Sequence, residues 1–452
     1  STLLLSRRAS FDAVEAFIEQ RYNKKTRSGP RWASGKPNLH RSEVPTANWS
    51  DNWLGFTRWD CVVMTAGEFE KMAEPVRQAL KSYTQCGGAI LILGNTELPS
   101  DWKGRRSKDG PAVFNYTKFG LAVVSTETDI SSWSDELRAR IATETWEQSR
   151  SFTNKISTVR SANEDFPVVE NLGVPVRGLF LLVLIFAVVM GPVNLFFLSR
   201  KNKRIWMLWT VPAMAIVASG TIFGFSIVAE GWSGYSKARF ITVLDQHRRT
   251  AKTLGLMGYY CPLTPADGMS FDYETEITVQ GMSNSPASSR TINWTTRQHL
   301  ASGWINARVP SYFLIRKSRL SRARLSFSVD EQGQPVVLNG LGANIKQLWF
   351  ADEKGNIHYT ESLPAGQKRP LDETRLISTG QRASPDRLRQ IYTRNWIGAY
   401  DSILSSPGSY LVPGGYVAEL SDCPFLEEPV GDLRSRQYGN LVIGMSNAGR
   451  GS

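Results

Sequence analysis

Residues 178–229 read GLFLLVLIFAVVMGPVNLFFLSRKNKRIWMLWTVPAMAIVASGTIFGFSIVA, and the rest of the chain is organised around them. The first apolar run, 178–198, has 21 residues and the second, 205–229, has 25; neither contains a charged residue. A helix needs roughly 20 apolar residues to cross the hydrocarbon core of a bilayer, so both runs are long enough. The pattern predicts a two-helix transmembrane hairpin over residues 177–232, with the lipid bilayer as its first partner.

The short connection between the two runs, residues 199–204, is strongly basic. It holds four cations in six residues: Arg200, Lys201, Lys203 and Arg204. Short basic loops stay in the cytoplasm, so these side chains are the expected topology determinants. Residues 1–176 and 233–452 then share the exoplasmic side. Because no signal peptide opens the sequence at Ser1, we also expect a preceding segment in the full-length protein.

Two features inside the apolar runs bear on helix packing. Asn194 is the most polar residue there, and we expect it to hydrogen-bond the partner helix. Gly220 and Gly224 form a GxxxG pattern, which favours either close packing within the hairpin or a face for a second copy of the chain. The second alternative makes a homo-oligomer one of the expected assemblies.

Composition limits the classes of partner and cofactor. The net charge is +12, but domains that face away from the cytoplasm rarely meet nucleic acid, so we expect anionic lipid or envelope polymer instead. Four cysteines in 452 residues do not make a disulfide scaffold, and each pair (Cys61 with Cys86, Cys261 with Cys423) is either bonded or free. The four histidines are scattered, so we expect neither a metal site nor a cofactor.

The first domain, residues 1–170, contains a clear strand–helix–strand unit. Trp59–Thr65 and Ala89–Leu93 are apolar strands, and Glu68–Gln85 between them has a helical apolar face that Pro75 kinks or shortens. Gly87 and Gly88 end the helix. Strands that are apolar throughout indicate a parallel sheet covered on both faces. We also expect a helix after Ser10, a strand over residues 119–124, and a helix from residue 134 to about 156.

The run RWDCVVMTAGEFEKMAEPVRQALKSYTQCGGAILILG, residues 58–94, resembles the class I glutamine amidotransferase-like domain. More narrowly, it is similar to versions found in uncharacterised bacterial membrane proteins. The resemblance is close over these residues and loose over the first domain. It implies a flavodoxin-like α/β fold and a place in the bacterial inner membrane, with both large domains on the periplasmic side.

Enzymes of that superfamily carry a cysteine nucleophile on a tight strand-to-helix turn, where the helix dipole lowers the thiol pKa. Here residues 94–97 follow the second strand without a cysteine, and Cys86 precedes that strand. The resemblance therefore implies a catalytically inactive domain. The residues at the carboxyl ends of the strands are interpreted first as ordinary turns and helix caps, and a ligand cleft there is the alternative. The residues bordering it, which also fit ordinary caps and turns, are Thr65, Glu68, Asn95, Thr96 and Glu97.

The last domain, residues 233–452, has short alternating strands separated by turn pairs, as in a β-sandwich. The stretch VVLNGLGANIKQLWFADEKGNIHYTESLPAGQ, residues 336–367, resembles the β-rich domain that follows the hairpin in the same membrane proteins. Residues 384–397 predict one helix, with Ser384 as its N-cap.

A basic run crosses this domain. Its five cations are Arg316, Lys317, Arg319, Arg322 and Arg324. They fit a patch for phosphate or anionic lipid, but a solvated edge strand that uses charge to block edge-to-edge pairing is the favoured interpretation.

The sequence thus predicts an α/β domain, a transmembrane hairpin and a mainly-β, sandwich-like domain. The expected function is a non-enzymatic interaction or assembly protein of the bacterial envelope. One alternative is an accessory subunit of a transport or export complex, which requires an ATPase or transporter as partner. The other is a cysteine-dependent hydrolase or amidotransferase that uses Cys86 or Cys61.

Overall fold

The structure is a computed structural model. It describes residues 1–23, 36–102, 104–147, 162–164, 166–168, 176–200, 204–230, 234–280, 290–373, 387–393, 396–431 and 433–446.

The N-terminal region is α/β, with a seven-stranded sheet in the order β2-β1-β3-β4-β7-β6-β5. The first five strands in that order are mutually parallel, and β6 and β5 continue the sheet antiparallel. The strands are β1 Thr2–Leu5, β2 Asn38–Arg41, β3 Cys61–Thr65, β4 Ala89–Leu93, β5 Arg105–Asp109, β6 Ala112–Thr117 and β7 Gly120–Ser125. The helices are α1 Phe11–Asn23, α2 Ala66–Glu70, α3 Glu74–Gln85 and α4 Asp135–Ala142.

The predicted strand–helix–strand unit is confirmed. Strands β3 and β4 pair in parallel, and their apolar side chains are buried on both faces of the sheet. The helix is divided in two because Pro75 lies in the first turn of α3, where its missing N–H is tolerated, so α3 starts later than the apolar pattern suggests. One apolar core includes Phe17 of α1 and Trp146 after α4, and the core on the other face includes Leu80 of α3.

Two apolar helical stretches follow. The first comprises α5 Val176–Val188, a π-helical turn Val189–Val193 that contains Pro192, and α6 Asn194–Arg200. The second begins with a 3₁₀ turn, Arg204–Trp206, and continues as α7 Met207–Glu230. Within the part that is described, Val183–Arg200 is long and apolar enough to cross a membrane, and Met207–Thr221 is a shorter apolar helix. Lys201 and Lys203 lie outside the described residues.

The predicted contact of Asn194 is confirmed: its Nδ2 donates to Thr210 Oγ1 at 2.9 Å, which joins the two stretches. A Cβ built on Gly220 or Gly224 meets no described atom within 4 Å. Among the described residues, these glycines are therefore not points of close helix packing.

The C-terminal region is β-rich. A nine-stranded sheet has the order β11-β14-β9-β8-β22-β21-β17-β18-β20, and two three-stranded sheets have the orders β10-β13-β12 and β15-β16-β19. In the large sheet β22 and β8 pair in parallel and the other neighbours are antiparallel. The large-sheet strands are β8 Gly234–Asp245, β9 Thr250–Tyr260, β11 Thr275–Gln280, β14 Ser311–Leu320, β17 Ile345–Ala351, β18 Ile357–Leu363, β20 Asp372–Glu373, β21 Gly415–Leu420 and β22 Leu433–Met445. The others are β10 Met269–Phe271, β12 Thr291–Asn293, β13 Gln298–Ser302, β15 Arg324–Val329, β16 Pro335–Gly340 and β19 Lys368–Pro370.

Two helices of this region, α8 Arg387–Thr393 and α9 Trp396–Ser405, fall partly where one helix was predicted. The proposed N-cap, Ser384, lies outside the described residues. One face of the large sheet shares an apolar core with the two small sheets, which includes Phe240, Phe271 and Val337. The other face packs on α8, α9 and Phe119 of the N-terminal region, so the two regions are joined through a common core.

Candidate functional site at the interface between the two regions

The residues predicted to border a strand-end cleft are placed at the ends of β3 and β4. Thr65 and Glu68 form a capping box at the start of α2. The buried Glu68 carboxylate accepts from Thr65 Oγ1 at 2.9 Å, from the Arg8 backbone N–H at 3.0 Å, and from the Ser6 hydroxyl. Hydrogen bonds to the Glu68 carboxylate therefore connect the segment after β1 with the start of α2.

The other three predicted cleft residues follow β4. Asn95 and Glu97 are exposed, and Thr96 Oγ1 donates to Glu70 Oε1 at 2.9 Å. The structure thus brings Thr65 and Glu68 together as a cap, and Thr96 contacts the end of α2. A ligand in this cleft remains a prediction.

All four cysteines lie in the described ranges, and all are buried with free thiols. Cys86 is the C-cap of α3, and its Sγ donates to the Lys317 carbonyl at 3.8 Å. Burial raises the Cys86 pKa to about 11. A buried thiol with so high a pKa has little thiolate at neutral pH and is poorly suited to nucleophilic attack.

Arg389 of α8 is a buried cation that crosses the interface. It is 4 % exposed, and its guanidinium donates to backbone carbonyls of the N-terminal region: to Phe119 O at 3.3 Å, to Glu144 O at 2.9 Å, and to Gly87 O. Burial lowers its pKa, although that of arginine stays far above neutrality. The Arg389 side chain of the C-terminal region thus donates hydrogen bonds to carbonyl groups from three segments of the N-terminal region.

Arg316 of β14 is the second buried cation at the interface. It pairs with Glu276 and donates to Tyr392 Oη at 2.9 Å and to Cys86 O at 3.4 Å. Burial alone would lower its pKa, but the charge of Glu276, the hydrogen bond to it and the nearby Tyr392 together raise it. Arg316 therefore joins β11, α8 and the end of α3.

The prediction that the basic run forms a solvated edge strand is wrong. Strand β14 is paired on both sides, with β11 and with β9. Consecutive strand residues point to opposite faces, and both faces of β14 are covered. Arg316 faces the N-terminal region, whereas the buried Lys317 pairs with Asp272 at 2.7 Å and with Glu427.

The other three cations of the basic run, Arg319, Arg322 and Arg324, do not lie together with Arg316 and Lys317 on one face of β14. Arg319 Nη1 donates to Pro424 O at 3.3 Å, and Arg322 and Arg324 are exposed after the strand ends. The five cations therefore do not form one anion-binding patch.

A cavity of about 1220 Å³ lies between the two regions. Its N-terminal wall includes Ser100, Arg105, Tyr116 and Lys118. Its C-terminal wall includes charged and polar side chains (Asp245, Gln246, His247, Arg248, Glu353, Arg387, Ser409, Tyr410 and Ser446) and apolar ones (Val243, Leu244, Phe350, Leu388, Val412, Pro413, Ile443 and Met445). Interfaces between domains are common places for ligand pockets.

The sequence analysis did not single out Lys118 or Arg389. Lys118 occupies a hairpin turn and Arg389 a helix, and both positions usually expose a cation. Their contacts come from segments more than 100 residues away, which no local pattern reveals.

A scan of the chain against models of protein families finds no match, and a search of curated proteins finds none either.

Proposed function

We propose that this chain is a membrane-anchored interaction or assembly protein of the bacterial envelope, with no enzymatic role of its own. The observation that carries the proposal is the exposure of large apolar side chains on the two middle helical stretches. Phe180 is 69 % exposed, Phe197 60 % and Trp209 76 %. So much exposed apolar surface on neighbouring helices marks an interaction with lipid or protein.

We propose more specifically that the middle region is a transmembrane hairpin. The Asn194–Thr210 hydrogen bond supports it, because an amide in hydrocarbon needs a partner on the neighbouring helix. Arg200 and Arg204 flank the connection, as cations at a cytoplasmic loop would. Residues 1–170 and 233–452 then lie on the periplasmic side of the inner membrane.

The resemblance of the first domain to the class I glutamine amidotransferase-like fold is also part of the proposal. It is supported by the five parallel strands, whose order β2-β1-β3-β4-β7 is the flavodoxin-like order of a doubly wound sheet if β7 is counted as the fifth. Along the chain, the β5–β6 hairpin lies between β4 and β7 where a doubly wound fold has a crossover helix, but in space it extends the sheet beyond β7. The buried Cys86 thiol argues against the alternative of a cysteine-dependent enzyme.

The test of an assembly role is cross-linking in intact cells, followed by purification in mild detergent. We expect discrete adducts heavier than the 50.5 kDa chain, at the same yield in the parent and in Cys86→Ser. An ATPase or pore protein in those adducts would favour the accessory-subunit alternative, and an adduct of twice the chain mass would indicate a homo-oligomer. Recovery of the chain only as an uncross-linked monomer would contradict the proposal.

A further inference from the structure

The cavity between the two regions is lined by more positive than negative side chains. Among the described lining residues the cations are Arg105, Lys118, Arg248 and Arg387, and the carboxylates are Asp245 and Glu353. Leaving His247 out of the count, the wall has a surplus of two positive charges. Such a cavity attracts anions, and its low-dielectric walls strengthen the attraction.

Two of the cations converge on one atom. Lys118 Nζ from the N-terminal region lies 3.2 Å from Asp245 Oδ2, and Arg248 Nη1 lies 3.6 Å from the same oxygen. One carboxylate cannot neutralise both. Burial also lowers the pKa of Lys118, whose side chain is 13 % exposed, so a second anion beside it would stabilise its charged form.

The turns that carry these cations have unfavourable backbone conformations. Lys118, in the turn between β6 and β7, has φ 53°, and Arg249, in the turn between β8 and β9, also has φ 53°. A residue with a Cβ adopts positive φ at a cost and keeps it only where the surrounding structure holds it there; such residues often occur at ligand sites. Lys118 is itself such a residue, and Arg248 directly precedes another.

The remaining wall combines a further cation with apolar surface. Arg387 Nη1 donates to Ser409 O at 2.7 Å, and its guanidinium lies 5.7 Å from the centre of the Tyr410 ring, so both of these contacts are with uncharged groups. Phe350 and Val412 provide apolar surface in the same cavity. The volume is sufficient for an organic group in addition to an anion.

We propose that this cavity binds an organic phosphate monoester, with its phosphate next to Lys118 and Arg248. The surplus of two positive charges on the cavity wall is best complemented by a compact group with two negative charges. A phosphate monoester carries about −1.5 to −2 at pH 7, whereas a carboxylate carries one negative charge. Arginine also binds phosphate oxygens through two parallel hydrogen bonds. The organic part contacts the apolar wall.

The test is calorimetric titration of the full-length protein in detergent with phenyl phosphate. We expect saturable binding that Arg248→Gln and Lys118→Gln each weaken about tenfold, since a hydrogen bond to a charged group contributes about that factor. The matched control is Arg324→Gln, which makes the same charge change at an exposed position outside the cavity. The Arg248 side chain is 36 % exposed, against 13 % for Lys118, although its Nη2 donates to Ser100 O at 3.1 Å across the interface. Arg248→Gln therefore disturbs less buried structure than Lys118→Gln, and the melting temperature of each variant is compared with that of the parent.

Titrations with other ligands show which chemical class of anion the cavity prefers. We expect inorganic phosphate to bind more weakly than phenyl phosphate, and benzoate more weakly still. Dihexanoyl phosphatidate distinguishes a lipid headgroup from a soluble phosphate: tighter binding of it than of phenyl phosphate assigns the site to lipid, and the reverse assigns it to a soluble ligand. The proposal is overturned if phenyl phosphate does not bind, if Arg324→Gln weakens binding as much as Arg248→Gln, or if benzoate or inorganic phosphate binds equally well.

Discussion

Lys252 differs from the two buried arginines in the groups that receive its hydrogen bonds. Its Nζ donates to two hydroxyls, to Ser82 Oγ at 3.1 Å across the interface and to Ser318 Oγ on the neighbouring strand. Hydroxyl dipoles compensate a buried ammonium less well than a carboxylate does. Burial accordingly lowers the Lys252 pKa to about 8, from an ordinary value of 10.5.

Replacing Lys252 with Met should therefore stabilise the protein at pH 7, with a gain that shrinks in alkali. In the parent, the unfolded chain binds the Lys252 proton up to pH 10.5, whereas the folded chain releases it above about 8, so parent stability rises with pH between these values. We expect a gain of about 3 kcal/mol in the free energy of unfolding at pH 7 and a small one near pH 10, because the pKa falls from 10.5 to about 8 and each pKa unit corresponds to about 1.4 kcal/mol.

Urea unfolding in detergent at both pH values measures this difference. The control is Lys346→Met, since the Lys346 side chain is 50 % exposed and its Nζ lies 3.4 Å from Glu419 Oε1. That substitution should change stability little at either pH. An equal gain for Lys252→Met at both pH values would contradict the explanation by charge burial.

At the scale of elements, the contact between α8 and the end of α3 depends on a glycine. Gly87 follows α3 with φ 111°, and a Cβ built on it would lie 2.3 Å from the Tyr392 ring. The missing side chain allows Tyr392 to lie on this turn while Arg389 donates to the Gly87 carbonyl.

Gly87→Ala should cost about 3 kcal/mol of stability, which combines the strain of positive φ with displacement of Tyr392. Gly333→Ala is the matched control: φ is 81° there, and nothing lies within 4 Å of the added Cβ. It should cost about 1 kcal/mol, from backbone strain alone. The two losses, measured by urea unfolding, should differ; equal losses would mean that the contact between α8 and α3 contributes little.

Elements defined by neighbouring residues could be predicted, and those defined by distant ones could not. The β3–α2–α3–β4 unit was recognisable because its apolar runs and its glycine turn all lie within 37 residues, Arg58 to Gly94. Strand β14 was not, because its cations are paired with Asp272, Glu276 and Glu427 from other segments. A basic strand covered on both faces has the same local sequence as a basic edge strand. The cavity is formed by residues of both regions, so no single stretch of the sequence predicts it.

At the scale of the whole molecule, the proposed orientation can be tested with single cysteines, because the four native thiols are buried. An impermeant maleimide should label Lys354→Cys, at an exposed turn, in cells with a permeabilised outer membrane. Asn202→Cys, in the basic loop, should react only after lysis. The reverse labelling pattern would overturn the topology, and labelling of the parent chain would show that the thiols are accessible.

The position of β22 has a consequence for how this protein matures. It pairs in parallel with β8 and antiparallel with β21, in the middle of the nine-stranded sheet. Because β22 follows every other strand of that sheet along the chain, β8 emerges from the ribosome long before its central neighbour exists. Until residues 433–445 are synthesised, one hydrogen-bonding edge of β8 stays open to wrong pairing. Completion of this sheet is thus a late step in the synthesis of the region, and until it occurs the nascent protein is exposed to chaperones and to aggregation.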